Sequence, residues 1–460
     1  MIVLSDEIKI IQTLLQPDEK YYIVGGMIRD TLLSRQSQDI DIVCSGDSYK
    51  IAKKLADKLS GSFFVLDAER NACRVIANNG QGKKVIVDFT RLRGDSIDDD
   101  LKERDFTINA MAVDLANSDS IIDPLSGGND LMEKKLQPCS DSCFLDDPLR
   151  VIRAIRYSVK YDLHIETKTQ ELIRQAVKGL PNVSVERKRD ELFKLLDNKK
   201  PWVSLQLLSH FGILQYIGLE AVSQINEAVS RLRILDHQLA YLEGANPSSG
   251  DEYFQFASFI SGFKNSRPGL RDHITQVNQS DRSKKGLDKL AAILWDLDEG
   301  QWRPMIKEMA LSVEEQNHLE VVLHYRDMIV KMVESQTDLD SRTVYRFFKK
   351  TGKSGIDLVL LSLAEKVNCL SSELDETGWL ALLQVCQSLV ETWFGNPEVI
   401  SPEPFLTGRD LMFEFDIPQG PCIGTLLDGL VEEQAAGEIK TRKEALIWVE
   451  RQIQRNFITQ

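Results

Sequence analysis

Apolar and polar positions change their rhythm about a third of the way along the chain. Before Pro138 they run in short blocks: YYIVGG, DIDIVC, SFFVLD, ACRVIAN, KKVIVDFT and NAMAVDL read as strands, apolar at alternate positions or rich in β-branched residues. Between them MIRDTLLS opens one helix, and SYKIAKKLADKLSG forms an amphipathic one closed by Gly61. From Asp147 onward the spacing is helical nearly everywhere, as in PLRVIRAIRYSVKY, TQELIRQAVKGL, RDELFKLLD and WVSLQLLSHFGIL. The clearest loop is GANPSSGDE (Gly244–Glu252), a second break lies near Lys264–Asp272, and EALIWVERQIQRNF is a strongly amphipathic closing helix. No fixed-period repeat interrupts this order. The pattern predicts an α/β N-terminal part with an open sheet, followed by an all-α C-terminal half.

Composition narrows the class. A chain of 460 residues exceeds one ordinary core and predicts two to four domains. The formal net charge of −14 argues against a protein that coats nucleic acid non-specifically, though not against a local basic groove. No apolar run reaches the length of a membrane span, and MIVLSDEIKIIQTLL has acidic residues inside its apolar stretch and no basic start, so the expectation is a cytoplasmic protein. The seven cysteines are scattered; Cys139 and Cys143 are the one close pair, with no second pair to complete a zinc site, and free thiols are expected.

The stretch IVGGMIRDTLLSRQSQDIDIV carries the chemistry. On a strand, Asp39 and Asp41 point to the same face, and two such carboxylates repel unless a cation lies between them. Hard oxygen ligands of this kind suit Mg²⁺, which also takes substrate phosphates. Alone, a D-x-D is more often the solvated face of an edge strand. Gly25 and Gly26 change the weighing: they follow a strand and precede a helix, where backbone N–H groups bind phosphate, with Arg29 one turn in. Neither G-x-G-x-x-G nor G-x-x-x-x-G-K-[ST] is present, which removes the main support for Rossmann and P-loop readings.

A phosphate turn beside a metal-binding pair resembles the signature of DNA polymerase β-like nucleotidyltransferases. More narrowly, GGMIRDTLL…DIDI is similar to the first motif of class II tRNA CCA-adding enzymes and bacterial poly(A) polymerases. ERDFTINAMAV (Glu103–Val113) resembles their second motif, RRDFTxNA, with Glu103 in place of the first arginine. The resemblance implies that Arg104, Asp105 and Asn109 bind the nucleotide and select ribose. DDPLRVIRAIRY (Asp146–Tyr157) resembles EDxxRxxRxxRF. A helix from about Asp147 would set Arg150, Arg153 and Arg156 on one ridge, neighbours about 60° apart. The resemblance implies that Asp147 and Arg150 read the base, a carboxylate accepting from cytosine N4 and a guanidinium donating to O2/N3, with Arg153 and Arg156 on phosphates. Asp88 is a candidate third carboxylate but is as readily an exposed strand end, and it stays outside the metal set of Asp39 and Asp41.

The implied organisation is a nucleotidyltransferase head (1–140), a helical neck (141–200), a body (201–330) and a tRNA-binding tail (331–460). Between Asp88 and the second motif the chain reads FTRLRGDSIDDDLKE; the resemblance implies that members adding the whole CCA carry roughly ten more residues here, a flexible loop needed for the switch to ATP. That points to a CC-adding enzyme using CTP on tRNA, with a separate A-adding enzyme supplying the last residue from ATP. Rival readings are full CCA addition, an A-adding enzyme, a poly(A) polymerase, and a non-catalytic RNA-binding protein on a transferase fold. No H-D metal constellation is expected in the C-terminal half, so no fused phosphohydrolase is expected.

Overall fold

The structure, a computed structural model, describes residues 6–458 apart from 36–38, 79–83, 119, 246–252, 277–281 and 370–375. Most of the loop read at Gly244–Glu252 lies outside the described residues. The chain forms two compact units, one of residues 1–192 with 210–216, the other of residues 193–209 with 217–460. The expected head, most of the expected neck and residues 210–216 of the expected body fall in the first; the rest of the body and the tail lie in the second.

The first unit begins with α1 (Asp6–Gln12), β1 (Tyr21–Val24), α2 (Gly26–Leu32), β2 (Asp39–Cys44) and α3 (Ser48–Leu59). It continues with β3 (Ser62–Asp67), β4 (Ala72–Asn78), β5 (Lys84–Arg91), α4 (Ile97–Lys102), β6 (Ala112–Asp114) and β7 (Ile121–Ile122). These strands make one seven-stranded mixed sheet in the order β3-β4-β5-β2-β1-β6-β7, with β2 and β5 parallel and the other pairs antiparallel.

Alternation along the strands sorts this sheet into two faces. Ile40, Ile42 and Cys44 of β2, Val85, Val87 and Phe89 of β5, and Cys73 and Val75 of β4 point into one core with Ile51, Ala52 and Leu55 of α3. The intervening residues, Asp39 and Asp41 on β2, Asp88 on β5 and Arg74 on β4, therefore emerge together on the other face. There Tyr22, Val24 and Val43 pack with Ile97 and Leu101 of α4. A period of two thus places charges on one side because the other side is filled with hydrocarbon.

Past the sheet the first unit is mainly helical, with α5 (Gly127–Met132), α6 (Cys143–Asp146), α7 (Arg150–Tyr161), α8 (Thr167–Ala176) and the first part of α9 (Val185–Leu196), beside a short parallel strand pair, Lys135–Leu136 with His164–Ile165. The helix expected from Asp147 begins at Arg150, because Asp147 is extended (φ −145°, ψ 98°) ahead of Pro148.

The second unit is built of helices, as the spacing predicted. Its core includes Ile225–Glu243, Lys284–Leu294, Val313–His324 and Ser354–Cys369. The break expected over Lys264–Asp272 is shorter: Pro268 stands in the first turn of a helix over Arg267–Ile274, where a missing N–H costs nothing. Near its C-terminal end Leu406, Leu411, Ile423, Leu426, Leu430 and Val449 form a small core of their own. Among the described residues no helix is long and apolar enough to cross a membrane.

Candidate active site

The row of charges on the open face of the sheet is the centre of the site. Asp41 stands opposite Asp88 across β2 and β5, and Asp88 stands opposite Arg74 across β5 and β4. Asp39, two residues before Asp41, shares the face. Arg74 grips Asp88 with a two-pronged contact, Nε to Oδ1 and Nη2 to Oδ2, both 2.8 Å. Burial pushes the Asp41 carboxyl up to about 6, and the neighbouring carboxylates of Asp88 and Asp39 add to it, against the pull of Arg104 and Arg74. A buried carboxylate crowded by two others is a donor set that fits a divalent cation. Asp88 therefore belongs beside the expected pair; the register of β5 against β2, invisible in one strand's sequence, brings it there.

The glycine turn works differently from the expectation. Gly25 has φ +74°, a conformation that glycine adopts without strain. Its N–H is committed to the Met111 carbonyl at 3.3 Å, so it cannot serve a phosphate. A Cβ there would stand 3.3 Å from Arg104 Nη1 and 3.4 Å from Asp41 Oδ2. Gly25 lets arginine and carboxylate close over the turn, and Gly26 opens α2 behind it.

Arg104 is held there by a residue the motif reading missed. Asp100, buried on α4, accepts from Arg104 Nε at 3.1 Å and Nη2 at 3.0 Å, and from the Arg93 backbone N–H at 3.2 Å. The signal was present as an acid in α4 four residues before an arginine that follows the helix end. The rest of the segment is equally ordered: Ser96 caps α4 through the Asp99 N–H, and Gly94 turns at φ +68°.

Arg29 also departs from its expected phosphate. Its side chain is buried, donates to Asn109 Oδ1 and to Asp30 Oδ1, and lies 4.2 Å from the Tyr161 ring centre. Asn109 in turn donates to Asp105 Oδ1 at 3.0 Å, and Arg153 donates to Asp105 Oδ2 from Nε at 3.0 Å. Burial alone would raise the Asp105 carboxyl, but Arg153, Asn109 and the Phe106 N–H outweigh it and hold it below the usual range. Asp105 and Asn109 are thus joined to each other and to two arginines.

The third arginine of the ridge turns away. Arg156 is buried, with Nε 2.7 Å from Glu191 Oε2 on α9 and its guanidinium 4.3 Å from the Tyr157 ring centre. Steps of three residues rotate by about 60°, so a ridge that faces the cleft at Arg150 has turned about 120° inward at Arg156. The expected phosphate contact at Arg156 is corrected to an internal ion pair.

Asp147 and Arg150 face the cleft. Asp147 Oδ1 accepts from the Leu149 N–H at 3.2 Å and Oδ2 from Arg187 Nη2 at 2.8 Å. Arg150 is steadied by backbone carbonyls, Nη2 to Glu103 O at 3.0 Å and Nη1 to Cys143 O at 3.2 Å. Glu103, the departure from the motif, thus contributes its backbone here. A pocket of about 250 Å³ is lined by Arg70, Arg93, Arg104, Arg150, Arg153 and Arg187. Asp105 and Asp147 are its carboxylates. It opens beside a larger cleft of about 1180 Å³. A strongly cationic pocket in a chain of net charge −14 is the local basic site that composition left open.

A family described as Poly A polymerase head domain matches residues 21–137, and one described as Probable RNA and SrmB- binding site of polymerase A matches residues 162–222. A CC-adding tRNA nucleotidyltransferase of Geobacter sulfurreducens is 30% identical over 429 residues, 92% of this chain and 90% of the relative. This chain belongs to the tRNA nucleotidyltransferase family. As a nucleotidyltransferase it also has a relative in an A-adding tRNA nucleotidyltransferase of Deinococcus radiodurans, 28% identical over 93% of this chain and 94% of that one. A solved CCA-adding enzyme, apo form I, shares the fold with a TM-score of 0.66 at 22% identity, covering 96% of this chain and 93% of its own.

One further group departs from expectation for a nucleotidyltransferase of this kind. In the second unit Asp288, His318 and Asp357 bring ligand-type atoms within 4.8 Å of one another, all buried. No H-D constellation is expected in this half; the members stand 30 residues or more apart, so no local motif announces them. Lys284 Nζ lies 3.0 Å from Asp357 Oδ2, and His318 Nε2 lies 3.0 Å from Asp288 Oδ1. Burial would lower the His318 pKa, but Asp288 and Asp357 raise it above the ordinary value. His273 Nε2 also lies 2.8 Å from Asp357 Oδ1, so Lys284, His273 and His318 already surround the two acids, and these residues fit an internal polar cluster better than a metal.

Proposed function

We propose that this chain adds cytidines to the 3′ end of tRNA from CTP, stopping at CC. The observation that carries the reading is Arg104, which joins the carboxylate row to the arginine pocket. One side chain thereby spans the place for reaction at the α-phosphate and the place for the remaining phosphates. Its relatives' names supply tRNA as the acceptor.

Asp39 and Asp41, with Asp88, would hold the divalent cation, for which Mg²⁺ is the proposed ion; when bound it activates the 3′-hydroxyl and neutralises developing charge. In the transfer the 3′-oxygen bonds to the α-phosphorus, the bond from that phosphorus to the β-bridging oxygen breaks, pyrophosphate leaves, and the hydroxyl proton passes to solvent. Arg104 and Arg153 face the triphosphate, with Arg70 and Arg93 on the pocket wall. Asp105, held by Arg153 and Asn109, sits where a ribose hydroxyl can donate to it. Arg29 and Arg156 act behind this layer. Asp147 accepts from cytosine N4, and Arg150 donates to its O2/N3 edge.

The CC-adding reading rests on the segment after Asp88. It is a capped helix with buried Asp100 tied to Arg93 and Arg104, leaving no long free loop to rearrange for a second base. The A-adding relative keeps a second reading, addition of the terminal A alone. Incubation with tRNA ending at the discriminator base, Mg²⁺, CTP and ATP, followed by sequencing of 3′ ends, separates the two. Ends at CC are expected; CCA ends refute the loop argument, and extension only of tRNA already ending in CC selects the A-adding reading.

A further inference from the structure

Arg74 lies outside every motif, yet it makes the best-formed contact in the catalytic row. It stands on β4 directly opposite Asp88, which stands directly opposite Asp41. Both oxygens of Asp88 are taken, each at 2.8 Å, in the fork-to-fork geometry that makes an arginine–carboxylate pair both strong and rigid. The pair is only half-buried, with 39% of the Arg74 side chain and 23% of the Asp88 side chain exposed, so its position is not imposed by the core. A surface arginine with this exposure had the alternative of reaching into solvent.

We propose that Arg74 is a resident counter-cation of the catalytic carboxylates, which orients Asp88 and lowers the affinity of the nucleotide-free site for a divalent metal ion. The inference rests on the reading of Asp39 and Asp41 as metal ligands. Three carboxylates on one face repel one another, and a permanent positive charge at one end of the row relieves part of that repulsion. The same charge acts against an incoming dication. Arg74 and the metal draw on the same negative charge, so the site holds its ion less tightly than three unpaired carboxylates would. Arg74 is a positioning residue in this scheme: it touches Asp88 and acts through it.

The test is Mn²⁺ binding to the full-length, nucleotide-free protein, read by electron paramagnetic resonance of the free ion, with folding checked by circular dichroism. Arg74→Gln is expected to tighten Mn²⁺ binding about tenfold, the order expected for removing one unit charge beside a dication at a partly solvated site. Adding Asp88→Asn to Arg74→Gln should cancel the gain. Equal or weaker binding by folded Arg74→Gln overturns the inference, as does a gain that survives the second substitution. Arg74→Lys keeps the charge without the fork and should stay within about twofold of the parent; a tenfold gain there would overturn the role of charge. Asp41→Asn separates the underlying reading: if it binds Mn²⁺ like the parent, the metal site itself is misassigned, whatever Arg74 does.

Discussion

Arg187 Nη2 lies 2.8 Å from Asp147 Oδ2, forty positions back along the chain. The other oxygen of Asp147 accepts the Leu149 N–H, so the carboxylate is held from two sides in one orientation. A carboxylate fixed as an acceptor suits the amino edge of cytosine and not a base edge that must itself accept.

Arg187→Ala should therefore raise KM for CTP several-fold and narrow the preference for CTP over UTP, whose O4 must itself accept. The pair is half-exposed, so the loss is modest compared with removal of Asp147. Steady-state kinetics with each nucleotide reads the effect, and unchanged selectivity would remove Arg187 from base reading.

Asp41→Asn should abolish transfer and stabilise the fold. The Asp41 pKa is raised to about 6, so the folded protein binds its proton more tightly than the unfolded chain does. Stability is then lost as pH rises from the unfolded value toward 6 and stays lost above it. An amide removes that cost, worth about 3 kcal/mol at neutral pH. Melting curves at pH 7.5 without divalent ions should show a higher Tm for the variant, and Mg²⁺ should stabilise the parent alone.

Asp100→Asn keeps the shape but loses the charge that orients Arg104. A fall of about ten- to a hundredfold in kcat/KM for CTP is expected, on the scale of a charge-assisted hydrogen bond. The same fall in Arg104→Ala, with no further loss in the double variant, would show that Asp100 acts through Arg104.

Arg156 and Glu191 should behave as a structural pair. Glu191→Leu removes a partner of the buried Arg156 and should cost about 3–5 kcal/mol, Arg156→Met leaves Glu191 with Arg153 at 3.6 Å and should cost less, and the two together should largely restore the fold. Denaturant unfolding and transfer activity of the double variant check this. A stable but inactive double variant would return Arg156 to the phosphates.

The buried cluster of the second unit gives a pH signature. The His318 pKa is raised, so its contribution to stability is complete below the unfolded value near 6.5 and is lost as pH rises through the folded one. The parent protein should lose Tm between neutral and alkaline pH more steeply than His318→Gln, which carries no titrating charge.

Periodicity and local motifs made much of this protein legible. The alternation in DIDIVC put Asp39 and Asp41 on one face, and the helical spacing after Asp147 marked the all-α half. The motifs around Arg104, Asp147 and Arg150 named the residues that now border one pocket. Each of these signals lies within about a dozen residues, where backbone geometry alone relates one side chain to the next. What the chain does with Arg29, Arg156 and Gly25 was not legible. Their motif positions are ordinary, but Glu191, Asn109 and Met111, which meet them, come from distant stretches.

The sequence by itself determined which residues share a strand face or a helix ridge, because the periods of two and 3.6 are properties of the backbone. Only the tertiary structure decided that Asp88 joins Asp41, that Arg74 answers Asp88, and that Arg187 holds Asp147. Those pairs depend on strand register and on where separate helices meet. Register and packing are set by the burial of whole faces at once, through contacts between residues that no local pattern connects.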